Sequence, residues 1–297
     1  ISVSFNESVE IQSSSIMLFN STGNRVKINK TVKVSATSIE AEMPNLSKGT
    51  YVASYSVVSA DSHPVKGAIV FSVGSQIDNN ISKNNTISSV LNEKGTSTAA
   101  RIFGSITRTI LFISLAMVVA ITFYNLLFNK DNFTSKTKKY LLYSSTILIF
   151  TSLISVFIQI SEVYDIGLTE VFGSKYISEQ LSSKFLLVNI IRILLVTLIF
   201  LSTKYFSKSK GIIIPAVLGA ALCFTPAFTG HSSTGERVVL SIFFSFIHVY
   251  AMSLWFGGLV VLFLVSRKEK EAKYFLTFSK IALYCVVALV ISGFYAW

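Results

Sequence analysis

Cysteine is scarce: the 297 residues hold two, Cys223 and Cys285, and both lie in apolar blocks. The polar N-terminal region therefore has no disulfide staple. The chain also lacks G-x-x-x-x-G-K-[ST], so it has no phosphate-binding loop with which to power pumping. With three histidines and no nucleophile motif, classical hydrolase chemistry is unsupported, and no enzymatic activity is expected. No Met and no signal peptide precede Ile1-Ser-Val-Ser-Phe5, and the chain stops inside an apolar block at Trp297. It reads as a fragment lacking both ends. Acidic residues are few, 15 against 26 basic ones, for a formal charge of +11. No basic face or stacking platform appears, so a nucleic-acid partner is not expected. Much of the Lys and Arg falls instead in short loops between apolar blocks, where it sets topology.

What is abundant is apolar. Hydrophobic residues make up 51% of the chain and the mean hydropathy is +0.60, above the usual share of a soluble domain. The excess is uneven. Residues 1–100 are rich in Ser, Asn, Thr and Val, whereas residues 109–297 are mostly Ile, Leu, Phe and Val. The expected division is an all-β, immunoglobulin-like sandwich over 1–75, a flexible linker over 76–100, and an α-helical polytopic membrane bundle over 101–297.

In the first part, short alternating runs recur between turn signals. Ser15–Phe19, Arg25–Ile28, Val32–Ser35, Ile39–Met43, Thr50–Val58 and Ala68–Val73 read as strands, with a further one in Ile1–Glu10. N-x-[ST] sequons at Asn6, Asn20, Asn29, Asn45, Asn80 and Asn84 all precede the first apolar block, consistent with an extracellular domain.

Between the last two strands stands Ser59-Ala-Asp-Ser-His-Pro-Val-Lys-Gly67. In extended backbone, residues two apart point to the same side, so Asp61 and His63 can converge on one ion. An imidazole nitrogen and a carboxylate oxygen suit Cu(II), which favours tetragonal N/O ligation. Two ligands do not complete a site, and a third donor must come from elsewhere. The other reading of the same residues is an Asx-turn at Asp61 before Pro64, with His63 merely exposed.

Gly49-Thr-Tyr51, then Ser54-Tyr-Ser-Val-Val-Ser-Ala-Asp-Ser-His-Pro-Val-Lys-Gly67 and Ile69-Val-Phe-Ser-Val73, resembles the C-terminal half of the copper-resistance family CopC. Ile1–Glu10 is similar to that family's early strand. The chain departs from the pattern at Ser62, where glycine is usual, and keeps an aromatic at Tyr55. The resemblance implies that Asp61 and His63 ligate Cu(II) together with an N-terminal histidine, expected before Ile1.

Apolar blocks run at about 109–128, 140–160, 185–203, 211–229, 238–265 and 279–297, each near the roughly 20 residues that cross a bilayer. Alternate loops are basic: Lys130, Lys136, Lys138 and Lys139; then Lys204, Lys208 and Lys210; then Arg267, Lys268, Lys270 and Lys273. The second loop carries Glu162, Asp165, Glu170 and Glu179 instead. The positive-inside bias puts the basic loops in the cytoplasm and the N-terminal domain outside a cell membrane.

Polar groups inside a bilayer are costly and become functional candidates. His248 and Met252, four apart on one helical face, offer an imidazole and a thioether to Cu(I). His231 sits at the mouth of the fourth block, and Asn189 and Arg192 lie early in the third. Arg192 reads as structural, and Cys223 and Cys285 as small apolar fillers. Helix packing is the plainer reading of His248 and Met252.

Thr229-Gly-His231 with Ile247-His-Val-Tyr-Ala-Met-Ser-Leu-Trp-Phe-Gly-Gly-Leu259 looks like the CopD family, as do Asn189-Ile-Ile-Arg192, Phe278-Ser-Lys-Ile-Ala282 and Ser292-Gly293. The string Trp255-Phe-Gly-Gly258 is the specific one, its glycines permitting close helix contact beneath a large ring. The resemblance implies a CopC–CopD fusion for copper uptake and resistance. The outer domain would capture Cu(II), and His231 and His248 would carry copper through the bilayer-embedded bundle. An external copper-donor protein is the further partner such a domain would take. The alternatives are a membrane oxidoreductase holding haem between His231 and His248, and a copper sensor without transport.

Overall fold

A computed structural model describes residues 1–6, 8–10, 15–29, 31–59, 64–77, 98–128, 133–164, 166–181, 183–205, 210–229, 237–265 and 271–296. Two compact units emerge. One joins Ile1–Arg101 to Gln159–Leu181, and the other joins Ile102–Ile158 to Ser182–Trp297.

The first unit carries an antiparallel β-sandwich. Strands β1 (Ser2–Ser4), β6 (Ser38–Glu40) and β5 (Val32–Ser35) form one sheet in the order β1-β6-β5. The second sheet is built on the long strand β7 (Gly49–Ser59). β2 (Val9–Glu10) and β3 (Ile16–Asn20) pair with β7, β4 (Arg25–Val26) extends the sheet from β3, and β8 (Pro64–Val73) also pairs with β7. The single strand expected over Ile1–Glu10 is split, β1 in one sheet and β2 in the other. The crossing is held by the Phe5 amide on the Thr37 carbonyl (2.8 Å) and the Val9 amide on the Ala36 carbonyl (2.9 Å).

Alternation does the rest. Ile16 and Val57 point inward to meet Ile39 and Ala41 of the facing region, with Val3, Phe5 and Tyr55 packed around them. Leu18, Tyr51 and Ala53 continue the same face, covered by Ile28, Met43 and Phe71. β8 starts at Pro64, four residues earlier than its hydrophobic run suggests, because its register with β7 holds from Gly49↔Val73 to Val58↔Pro64.

The second unit is helical, with α1 (Thr98–Phe128), α2 (Ser135–Tyr164), α3 (Ser174–Gln180), α4 (Lys184–Tyr205), α5 (Lys210–Leu222), α6 (Phe224–Ala227), α7 (Val238–Met252), α8 (Gly258–Val265) and α9 (Glu271–Ala296); α3, and the ends of α1 and α2, belong to the first. A π turn over Ser253–Gly257 joins α7 to α8, so Val238–Leu264 is one apolar stretch. Among the described residues, five helices are long and apolar enough to cross a membrane, and Leu115, Leu148, Val196, Leu254 and Cys285 from them meet in one core with Leu222 of α5. Their outward faces are equally apolar: Leu194, Phe150, Leu283 and Phe294 are all exposed. Apolar surface on both sides of a helix is the signature of a lipid-facing span. The chain is a multi-pass membrane protein.

The fourth block departs from expectation. Its described helix, Gly211–Ala227, is shorter than those five and is broken at Cys223 between α5 and α6. Pro226 has no N–H to give the Leu222 carbonyl, and the Thr225 hydroxyl donates there instead (2.8 Å). The fourth expected span is thus a shorter, interrupted helix.

Candidate functional site

Asp61 and His63 lie in the four residues, 60–63, that join β7 to β8, and fall outside the described residues. What surrounds them is described. β7 and β8 stay in register up to Val58↔Pro64, and β2 runs beside the same end through Val9↔Ser59 and Glu10↔Val58. Tyr55 stands opposite Gly67 across the hairpin. A Cβ at Gly67 would collide with the Tyr55 ring, whose other neighbour, Phe5, meets it edge-on with centroids 5.7 Å apart. The aromatic and the glycine are therefore one packing unit: the ring covers the strand where it has no side chain. His231 also falls outside the described residues.

In the membrane unit the polar groups can be placed individually. His248, on α7, is half-buried, and its Nδ1 lies 3.0 Å from the Ser292 Oγ of α9. One turn earlier on α7, Phe244 stacks on Tyr295 of α9 with centroids 4.3 Å apart, fixing the register of the two helices. Met252, one turn later on α7, is half-buried as well.

Arg192 on α4 is buried, 4% exposed. Its Nε donates to the Thr225 hydroxyl oxygen (2.9 Å) and its Nη1 to the Asn189 side-chain oxygen (3.0 Å). Asn189 is held in turn: its amide donates to the Phe185 carbonyl (2.9 Å), and the Ser155 hydroxyl of α2 reaches its oxygen (3.3 Å). The break before Pro226 thus has a consequence. The Thr225 proton goes to Leu222, which leaves the oxygen lone pairs to accept from a guanidinium on another helix.

Trp255 lies in the π turn and is half out of the protein, 44% exposed. The ring resting on Gly258 is Tyr124 of α1, not Trp255, and Gly257 faces Ala116 and Ala120 instead. A Cβ at Gly258 would stand 2.5 Å from the Tyr124 ring, and one at Gly257 2.5 Å from the Ala116 carbonyl oxygen. The Tyr124 hydroxyl then donates to the Leu254 carbonyl (3.2 Å), satisfying the altered backbone of the turn. Cys223 and Cys285 are free and buried in the apolar core, in keeping with their reading as fillers.

Among the described residues, no group of three or more His, Cys, Asp or Glu gathers to hold a metal. His248 and Met252 share a face as their spacing requires, and Arg192 is joined to Asn189. Thr225 and Tyr124 were not singled out from the sequence, and Ser292 was named there only within a family-like string, not as a partner of His248. Hydroxyls in apolar helices are common, and spacing gives no sign of which will bond across to a neighbour.

Comparison with known proteins places these features. Residues 1–74 match the CopC domain family, a span that includes the β7–β8 hairpin and its connection. Over 282 residues, 91% of its length, the chain is 31% identical to the copper transport protein CutJ of Bacillus subtilis (strain 168). It spans about half the length of that relative, 50%. No solved structure matches. The chain thus carries a CopC domain at 1–74 ahead of apolar helices long enough to cross a membrane, and is similar to CutJ through almost all of its own length.

Proposed function

We propose that the chain binds copper on the outer side of a cell membrane and passes it to the helical bundle, serving copper transport and resistance. The observation that carries this is the CopC domain at residues 1–74, which spans Asp61 and His63, in the same chain as the bundle. Asp61 and His63 would supply a carboxylate oxygen and an imidazole nitrogen to Cu(II). His231 and His248, with Met252, would offer softer donors along the bundle, where Cu(I) is favoured. Residues 76–100 serve as the tether, raising the effective concentration of the outer domain at the bundle to the order of millimolar. The relative's name, a copper transport protein, supports the same direction of thought.

The loop charges support an extracytoplasmic N-terminal domain: the basic loops take the cytoplasmic side, and the acidic connection between α2 and α4 takes the other.

The test is Cu(II) titration of the full-length protein in detergent, followed by electron paramagnetic resonance, for wild type, Asp61→Ala and His63→Ala. A tetragonal signal weakened at least about tenfold in affinity by either substitution supports the reading, since a lost ligand costs 1.4 kcal/mol or more at that ratio. Binding indifferent to both removes the outer domain from copper handling. Copper accumulation in cells carrying His248→Ala then separates transport, which falls, from sensing, which leaves accumulation unchanged.

A further inference from the structure

We propose that Ser292 is a positioning residue for His248: it accepts the Nδ1 proton, so that Nε2 carries the lone pair and is the nitrogen that meets the metal. The tautomer follows from counting protons. A serine hydroxyl has one hydrogen and two lone pairs. The Ser292 oxygen lies 2.6 Å from the Ala288 carbonyl oxygen, with the Leu289 carbonyl further off at 3.3 Å. Two oxygens at that separation repel unless a proton lies between them, so the hydroxyl proton is committed to Ala288. What remains toward His248 is a lone pair, 3.0 Å from Nδ1. Only an N–H can make that contact favourable, and the neutral ring then has its acceptor at Nε2.

Free imidazole side chains favour the opposite tautomer, so the bundle is holding His248 against its own preference. The means of doing so are on both helices. The Phe244–Tyr295 stack, a turn away, fixes α7 against α9. Ser292 itself is fully buried, leaving no water to take its place as acceptor. A ligating histidine in general gives its second ring N–H to an acceptor in this way, which sets the ring's orientation and raises its basicity. Because the described residues gather no three-ligand cluster, the donors this face offers are few: Nε2 of His248 and the thioether of Met252 one turn on. A sparse, soft set of that kind suits monovalent copper. The functional half of this inference rests on the copper reading of His248 proposed above; the tautomer does not.

The test uses the full chain in nanodiscs, uniformly labelled with 15N-histidine. With three histidines in the sequence, His248→Gln assigns the ring of interest by difference. Long-range proton–nitrogen correlation should show Nδ1–H in wild type, Nε2–H in Ser292→Ala, and Nδ1–H again in Ser292→Thr, which restores the acceptor. A wild-type ring protonated at Nε2, or a tautomer that ignores Ser292→Ala, overturns the proposal. Titration with Cu(I) under reducing conditions is the second arm. A shift at Nε2 in wild type, with affinity reduced about 10–100-fold in Ser292→Ala and recovered in Ser292→Thr, supports the positioning role. If Cu(I) leaves the His248 nitrogens unmoved, the metal half falls together with the copper reading of His248, while the tautomer result stands by itself.

Discussion

The sandwich and the bundle are both rich in hydroxyl and amide side chains, and use them in opposite ways. In the sandwich these groups make turns at the surface. Asn20 Oδ1 accepts from the amides of Thr22 (3.1 Å) and Asn24 (2.8 Å), and Ser35 meets Ser38 (2.8 Å) in the β5–β6 turn. In the bundle they mostly fold back on their own helix. Thr122, Thr151, Thr197 and Ser253 each donate to the carbonyl four residues earlier, at 2.7–2.9 Å. Water completes a polar group at the sandwich surface, whereas lipid completes nothing, so a hydroxyl in the membrane takes the nearest carbonyl. Polar bonds that cross between helices are therefore the informative ones, among them Arg192 to Thr225, Ser155 to Asn189, His248 to Ser292, Tyr124 to the Leu254 carbonyl and, at an exposed edge, Lys136 to the Leu264 carbonyl.

Steric requirements ought to erase this contrast, since overlap costs the same in water and in lipid. Gly257 is the sharpest instance, with the Ala116 carbonyl oxygen and Ala120 Cβ at 2.5 and 2.7 Å from a built Cβ. Gly257→Leu should lower stability by about 3 kcal/mol, read as the thermal unfolding of the full chain in detergent by circular dichroism. Gly67→Val, which drives a side chain into the Tyr55 ring, should cost a similar amount in the sandwich. A Gly257→Leu protein that melts like wild type would mean that α1 and the π turn are not in contact.

Hydrogen bonding should restore the contrast. Thr225→Val keeps the shape and removes the oxygen. The buried Nε–H of Arg192 then loses its acceptor, and the Leu222 carbonyl loses the hydroxyl that stands in for the N–H missing at Pro226. The expected loss is about 2 kcal/mol in the same unfolding assay. Asn20→Ala removes three bonds, one more than Thr225→Val, but at an exposed turn where water substitutes, and should cost about 1 kcal/mol or less. Equal costs at the two sites would break the comparison.

Legibility followed the same division. In the sandwich, alternation and turn residues mark strands directly, and β3, β5 and β7 fall within a residue or so of their expected bounds. The strand over Ile1–Glu10 was half legible: nothing in its pattern says that the chain changes sheets after Ser4, because both halves bury the same kinds of residue. In the bundle, apolar length marks the five spans, but not the break at Cys223, which depends on Pro226 and the Thr225 hydroxyl acting together. Among site residues, the spacing of His248 and Met252 was readable from helical period; Arg192 read as structural, but its partners, the Asn189 side-chain oxygen and the Thr225 hydroxyl, were not named. The pairing of Ser292 with His248 was not readable, although Ser292-Gly293 stood out as a family-like string, since Ser292 is one hydroxyl among many in apolar helices and its partner lies 44 residues away. Tyr124 was hidden for the same reason; the sequence motif suggested that a large ring covers the glycines, and the ring, over Gly258, comes from another helix.

The smallest expected effect is the most discriminating. Thr197, on α4, is exposed on the outside of the bundle, and its hydroxyl donates to the Ile193 carbonyl (2.8 Å). That carbonyl is also the ordinary acceptor for the Thr197 amide, so Thr197→Val orphans no backbone group, unlike Thr225→Val. Valine keeps the β-branch, so the rotamer and propensity change little. Its methyl faces lipid as readily as the threonine's did. The loss should stay within about 0.5 kcal/mol, the ordinary range for a substitution away from any buried feature. A loss as large as that of Thr225→Val would show that a hydroxyl folded back on its own helix carries as much stability as one that bonds across, and the distinction drawn between the two kinds of polar group would fail. A near-zero loss beside a large one, from the same chemical change in neighbouring helices, would leave the inter-helix acceptor as the difference between them.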